Sequence, residues 1–249
     1  MKLGKRDPRI DHRTLQMATY MKAEALPQPP GYVTWNAAVG AYWGMMLNDE
    51  LGDCTCAAVG HTIMAMTAQH GSPAVPSDAD VLAAYEACGG YKPGDPATDN
   101  GAVELDVLNW WRKTGMAGHK LGAYAAVRPA DQGEVRTAIW LFGSVYAGLA
   151  LPLTAEGQEV WNVDLSAPAP LSGRAAPGSW GGHAVPLLGY NQVGPLCVTW
   201  GIPLQMTWDF WATYADEAYA PLSPDWVSGA VEAPSGFDLA QLTKDLEAI

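Results

Sequence analysis

Between Asn48 and Met66 the sequence passes within a few positions from a polar turn to an apolar segment of small residues. The turn is Asn48-Asp49-Glu50-Leu51-Gly52-Asp53; the segment is Cys54-Thr55-Cys56-Ala57-Ala58-Val59-Gly60-His61-Thr62-Ile63-Met64-Ala65-Met66. Cys54, Ala57, Ala58, His61, Met64 and Ala65 recur at the spacing of one helix face. Small side chains on that face let neighbours approach closely, so the spacing predicts a central buried helix, ended by Gly71-Ser72-Pro73. Cys54 stands where the helix opens. First-turn N–H groups lack partners within a helix, and that end acts as a partial positive charge. A thiol placed there has its thiolate favoured, which makes Cys54 a candidate nucleophile. Asp53 works against this, because a negative neighbour raises a thiol pKa.

A nucleophilic cysteine needs a base. His183 is the best candidate, in Trp180-Gly181-Gly182-His183-Ala184-Val185, at the start of an apolar strand pattern and after a long loop. A histidine that merely caps the strand is the plain alternative. His61 shares a helix face with Cys54 but lies about two turns away, too far for a direct hydrogen bond, and reads as a core residue. His12, His70 and His119 stand in polar surroundings. Cys54-x-Cys56 with His61 matches no common zinc spacing, so neither a metal nor a cofactor is expected. Glycines near Gly178 to Gly182 match no phosphate or dinucleotide loop.

The order of elements predicts an α+β fold. Residues 1–31 read as an extended arm with a helical turn or two near Asp11–Met21, kept extended by Pro27, Pro29 and Pro30. Residues 32–125 read as a helical lobe: a short strand near Tyr32–Trp35, the central helix, and helices over Asp78–Cys88 and Val103–Lys113. Residues 126–236 read as a β-rich lobe: a helix ending at Phe142, strands at Val145–Leu151, Ala184–Tyr190 and Leu196–Trp200, and a short helix over Thr207–Asp216. Residues 237–249 read as an amphipathic helix with Leu239, Leu242 and Leu246 on one face. The loop over 152–180 is long enough to act as a lid.

The chain's 249 residues can bury a sizeable core. A formal net charge of −12 argues against a nucleic-acid partner. The basic start Met1–Pro8 is followed by no apolar core and does not read as a signal peptide. No stretch reaches transmembrane length, so no membrane partner is expected. A cytoplasmic protein with free thiols is the expectation, although a Cys88–Cys197 pair stays open. The eleven tryptophans suit an aromatic core or an aromatic-lined cleft.

These residues together resemble papain-like cysteine hydrolases. There, a cysteine opens the central helix of a helical left lobe, and a histidine comes from a β-rich right lobe across a cleft. The Cys54–His183 separation is close to the ~130–150 residues of papain-type enzymes. The family's oxyanion-hole glutamine falls here on Asn48 when counted back from Cys54, and on Glu50 when counted from Cys56. The first is an amide donor and the second is not, which favours Cys54. Phe142–Leu149 is similar to the family's strand entering the right lobe, Gly182–Tyr190 to its histidine strand, and Val198-Thr199-Trp200-Gly201 to its Asn-Ser-Trp-Gly segment. The orienting asparagine has no counterpart: it becomes Val198 by the Trp-Gly match and Thr199 by distance from His183, with Asn191 and Asp164 as other orienters.

The resemblance implies hydrolysis of a peptide or other amide bond. Its site would comprise Cys54, His183, Asn48 and Thr199, with Trp180 and Trp200 beside the histidine. No segment reads as an inhibitory propeptide, and the arm is expected to dock on a protein partner. The alternative is a catalytically inactive papain-like binding or assembly protein. The chain is also similar to bacterial and phage proteins, and for a phage protein that alternative implies a structural role in the virion.

Overall fold

The computed structural model describes residues 1–21, 28–167, 169–227 and 238–247. Its elements in chain order are α1 Met17–Tyr20, β1 Val33–Thr34, α2 Cys54–Ala68, α3 Asp78–Gly89, α4 Glu104–Lys113, β2 Ala123–Ala126 and α5 Gln132–Phe142. There follow β3 Val145–Leu151, β4 Val160–Trp161, β5 Gly181–Tyr190, β6 Pro195–Thr199, β7 Ile202–Met206, α6 Trp208–Tyr214, β8 Ala215–Leu222, α7 Pro224–Val227 and α8 Leu239–Glu247.

The strands form one sheet in the order β2-β8-β3-β5-β6-β7-β4, with β1 pairing on β5. All pairings are antiparallel except β4 with β7. Two hydrophobic cores share this sheet. One gathers Val135, Ile139 and Phe142 of α5 with Val185 and Leu187 of β5 and Phe210 of α6. The other gathers α2 with Val81 and Tyr85 of α3, Leu105 and Trp111 of α4, and Ala184 and Leu188 of β5. The fold is α+β, as the sequence predicts.

Helix α2 is the hub of the second core. It is buried on every face, with Thr67 the one residue left partly exposed. Its small residues permit this: at Gly60 an added Cβ would lie 2.5 Å from the Met46 sulfur. Helix α3 has the reciprocal Ser77–Asp80 capping box at its start and Gly90 in the left-handed conformation (φ 72°) at its end. Asp131 caps α5 by accepting from the Glu134 N–H.

Four strands were not expected. β2 lies where only a change of character was read, β4 within the segment read as a loop, and β7 where no element was read; β8 begins at the end of the helix read over Thr207–Asp216. Within the segment 152–180, β4 and two short 3-10 turns are fixed to the sheet, with Trp161 buried against Phe210. Part of the terminal helix lies outside the described residues; within it, Leu242 is buried in the first core. All four cysteines are free, so Cys88 and Cys197 are not paired. Among the described residues no helix is long and apolar enough to cross a membrane.

Candidate active site

The Asp53 carbonyl accepts from the N–H groups of Cys56 (2.7 Å) and Ala57 (3.0 Å), which starts α2 and sets Cys54 at its first position. The Cys54 thiol accepts the Ala184 N–H at 3.4 Å. Ala184 directly follows His183 on β5, so this bond holds the first residue of α2 against the histidine strand. On the far side of the imidazole, Nε2 lies 2.7 Å from the Thr199 hydroxyl at the end of β6. Nδ1 is buried and has no hydrogen-bond partner among the described residues. Trp200 stacks on the ring with centroids 4.5 Å apart and planes 17° apart. The edge of Trp161 closes in at 6.5 Å, and Trp180 leans on Trp200 at 5.6 Å. Trp200 itself has a left-handed backbone (φ 45°), the turn from β6 to β7 that carries its indole over the histidine.

Asn48 sits beside this pair with both amide hydrogens engaged. They donate to the Leu51 carbonyl and to Asp53 Oδ1, each at 3.1 Å. Burial pushes the Asp53 carboxyl up to about 8, with the Asn48 bond pulling the other way. Asn191 and Asp164 stand elsewhere: each caps its own turn, at Val193–Gly194 and at Ser166 respectively. His61 is a core residue; its Nε2 meets the Gly44 carbonyl at 3.0 Å, and burial lowers its pKa to about 4.

The arm is the largest departure from expectation. It docks on its own chain, across the site. The Lys2 N–H donates to the Asn48 carbonyl, the Lys5 N–H to the Gly182 carbonyl, the Arg6 N–H to the Ala102 carbonyl, and the Ala102 N–H returns to the Gly4 carbonyl, all near 3 Å. The Trp200 indole N–H donates to the Lys2 carbonyl at 3.2 Å. Glycines make room for this strand: a Cβ at Gly182 would lie 2.2 Å from the Lys5 carbonyl oxygen, and one at Gly101 1.8 Å from that of Gly4. A segment that covers the site is therefore present although no inhibitory segment was read in the sequence.

Under this cover Cys54 and His183 are each 1% exposed. Burial pushes the thiol up to about 12, against the opposing pull of the Ala184 and Gly4 N–H groups, and Asp53 adds to the rise. Burial lowers His183 to about 3. Both groups are neutral at physiological pH. In the covered state, loss of water acts on the Cys54 thiol against the helix end.

The overall fold is shared with solved structures of low sequence identity. Xylellain, a cysteine protease from Xylella fastidiosa, superposes with a TM-score of 0.67 at 15% identity, covering 88% of this chain and 95% of that one. The chain has the papain-like fold. Digestive procathepsin L 3 of the Tenebrio molitor larval midgut matches with a TM-score of 0.57 at 12% identity, over 89% of this chain and 76% of that one. The bromelain protease from Ananas comosus matches with a TM-score of 0.52 at 13% identity, over 78% and 99%. No protein-family model matches the sequence, and no curated protein does. The papain-like fold is carried here by geometry rather than by sequence identity.

Proposed function

We propose that this chain is a cysteine hydrolase of peptide or other amide bonds, with Cys54 as nucleophile, His183 as proton carrier and Thr199 as the residue that orients His183. The observation that carries the reading is the placement of the thiol against the Ala184 N–H while Thr199 occupies His183 Nε2. With Nε2–H donating to Thr199, Nδ1 keeps the lone pair that takes a proton.

In the reaction, the Cys54 thiol gives its proton to Nδ1 and the sulfur bonds to the substrate carbonyl carbon. The oxyanion that forms meets the Cys54 backbone N–H and the Asn48 amide, which must give up its bond to Asp53 to serve there. His183 returns the proton to the leaving amine as the C–N bond breaks, leaving a thioester. Water then attacks the thioester carbon, giving one proton to His183, and the thiol re-forms as the C–S bond breaks.

Substrate and arm compete for one place, so the covered chain is latent and residues 2–6 must leave before turnover. The test is cleavage of a mixed fluorogenic peptide pool by the Lys5→Glu chain, in which the arm is weakened, beside Lys5→Glu/Cys54→Ala. Cleavage that disappears with Cys54 supports the reading; cleavage that persists sinks it.

A catalytically inactive papain-like binding or assembly protein is the second reading. It draws support from the threonine standing where the family has asparagine and from the neutral, covered thiol and imidazole. It requires that Cys54 stay an ordinary thiol even after the arm is displaced.

A further inference from the structure

Lys5 is the one residue among the first ten that is buried, and its side chain is 1% exposed. Its backbone is fixed at the site, between the Gly4 carbonyl, which accepts the Ala102 N–H, and its own N–H on the Gly182 carbonyl. The side chain runs down over Gly148 of β3, where an added Cβ would lie 2.1 Å from the lysine Cε. Gly148 is paired with Ala184 on one side and with Glu217 on the other. One row across the sheet therefore joins the residue that binds the thiol to the floor of a pocket. At that floor the ammonium meets Asp216 at 2.9 Å, Glu217 at 3.1 Å and the Arg6 carbonyl at 3.2 Å. The Tyr219 hydroxyl donates to the other Glu217 oxygen and fixes that carboxylate.

A third carboxyl faces the same cation. Glu104, at the start of α4, is 0% exposed, and neither of its oxygens has a hydrogen-bond partner among the described residues. Burial raises its pKa well above the usual range, the Glu217 charge raises it further, and Lys5 pulls it down. Burial alone would lower the Lys5 pKa, but Glu104, Glu217 and Asp216 together leave it raised. Three acids facing one ammonium, two of them buried, form a socket that is costly to leave without a cation. When the arm leaves so that a substrate can enter, that demand passes to the substrate.

We propose that the socket formed by Gly148, Glu104, Asp216 and Glu217 selects substrates carrying a lysine or arginine side chain next to the scissile bond, and that Lys5 is its intramolecular occupant. This rests on the cysteine-hydrolase reading for the word substrate, but the socket itself is testable without turnover.

The experiment uses the full chain carrying Lys5→Glu, with Lys5→Ala as a second arm variant should the first not fold. Fluorogenic peptides identical except for lysine or its uncharged isostere norleucine are compared at each position flanking the cleaved bond. The binding of the same pairs to the same chain, in uncleavable form, is read by fluorescence anisotropy. A charge-assisted bond of this kind predicts that at one position lysine is preferred about tenfold or more, in kcat/KM and in affinity. In Lys5→Glu/Glu217→Gln that ratio falls toward one. Equal handling of lysine and norleucine at every position, in binding as in cleavage, overturns the proposal. Absence of cleavage with the lysine preference retained in binding would instead overturn the hydrolase reading and leave the socket standing.

Discussion

The Ala184 N–H donates to the Cys54 thiol across 3.4 Å, and this one contact ties the head of the central helix to the strand that presents His183. The two residues belong to segments more than a hundred positions apart, yet the sheet and α2 leave them no other arrangement. Ala184 lies in the same core as α2, while His183, its neighbour along the strand, meets the rings of Trp161 and Trp200. The alternation of a strand thus sets Ala184 against the thiol and turns His183 toward the tryptophans.

Thr199→Ala removes the hydroxyl from His183 Nε2 and leaves a buried ring nitrogen without its partner. The expected result is a fall in kcat of about 10- to 100-fold in the arm-weakened chain, the worth of one hydrogen bond to a group that becomes charged. KM should change little. Steady-state kinetics of Lys5→Glu against Lys5→Glu/Thr199→Ala checks this, and equal kcat values would remove Thr199 from the mechanism.

Gly182→Ala tests the arm by shape rather than charge. A Cβ there meets the Lys5 carbonyl oxygen at 2.2 Å, and the oxygen is backbone, so the arm must move. Cys54 alkylation by iodoacetamide should accelerate at least tenfold over the parent chain. An unchanged rate would mean that the arm is not what shields the thiol.

Lys5→Met keeps the stem and deletes the charge, leaving Glu217 buried without its cation. Breaking such a pair costs about 3–5 kcal/mol if the arm stays in place, so the arm is expected to detach instead. Trypsin cleavage after Arg6, followed by mass spectrometry, should be faster than in the parent chain. Equal rates would show that the arm is held by its backbone bonds alone.

Asp53→Asn should flatten the dependence of stability on pH. The folded carboxyl, raised to about 8 by burial, keeps a proton that the unfolded chain releases near the ordinary carboxylate value of 3.8. Its contribution is therefore complete below about pH 4 and is lost as pH rises toward 8. The amide has no such proton to lose. At pH 8 the variant should be the more stable, by a difference on the order of a few kcal/mol relative to pH 4. Parallel urea-midpoint curves from pH 4 to pH 8 would refute this.

Much of this architecture is legible in the residues. The start of α2 at Cys54 follows from the polar-to-apolar switch, the Ser77 cap from its Asp80 partner, and the end of α5 from Gly143. His183 stands out as the histidine at the start of an apolar strand pattern, and Thr199 only through the resemblance, by its distance from His183. The course of the arm is not legible, because its bonds run to backbone atoms of Gly182 and Ala102, which any residue possesses. Nor is β8, whose run from Glu217 to Leu222 is buried throughout and so lacks the alternation that marks a strand. Lys5 reads as one more basic residue in a basic start; only the meeting of β3, β8 and α4 reveals what it faces. The thiol pKa could not be anticipated either, since a helix start predicts its lowering and only burial beneath the arm reverses the sign.

The most direct test of a Cys54–His183 pair assembled but silenced by its own arm is the alkylation rate of each cysteine against pH. The rates are read by peptide mass spectrometry in the parent chain, in Lys5→Glu and in Lys5→Glu/His183→Ala. The account predicts that Cys54 is unreactive in the parent chain and becomes the fastest thiol in Lys5→Glu at mildly acidic pH. It also predicts that this advantage disappears without His183. A Cys54 that titrates in Lys5→Glu like a free thiol, near its unperturbed value of about 8.5, with or without His183, would contradict it.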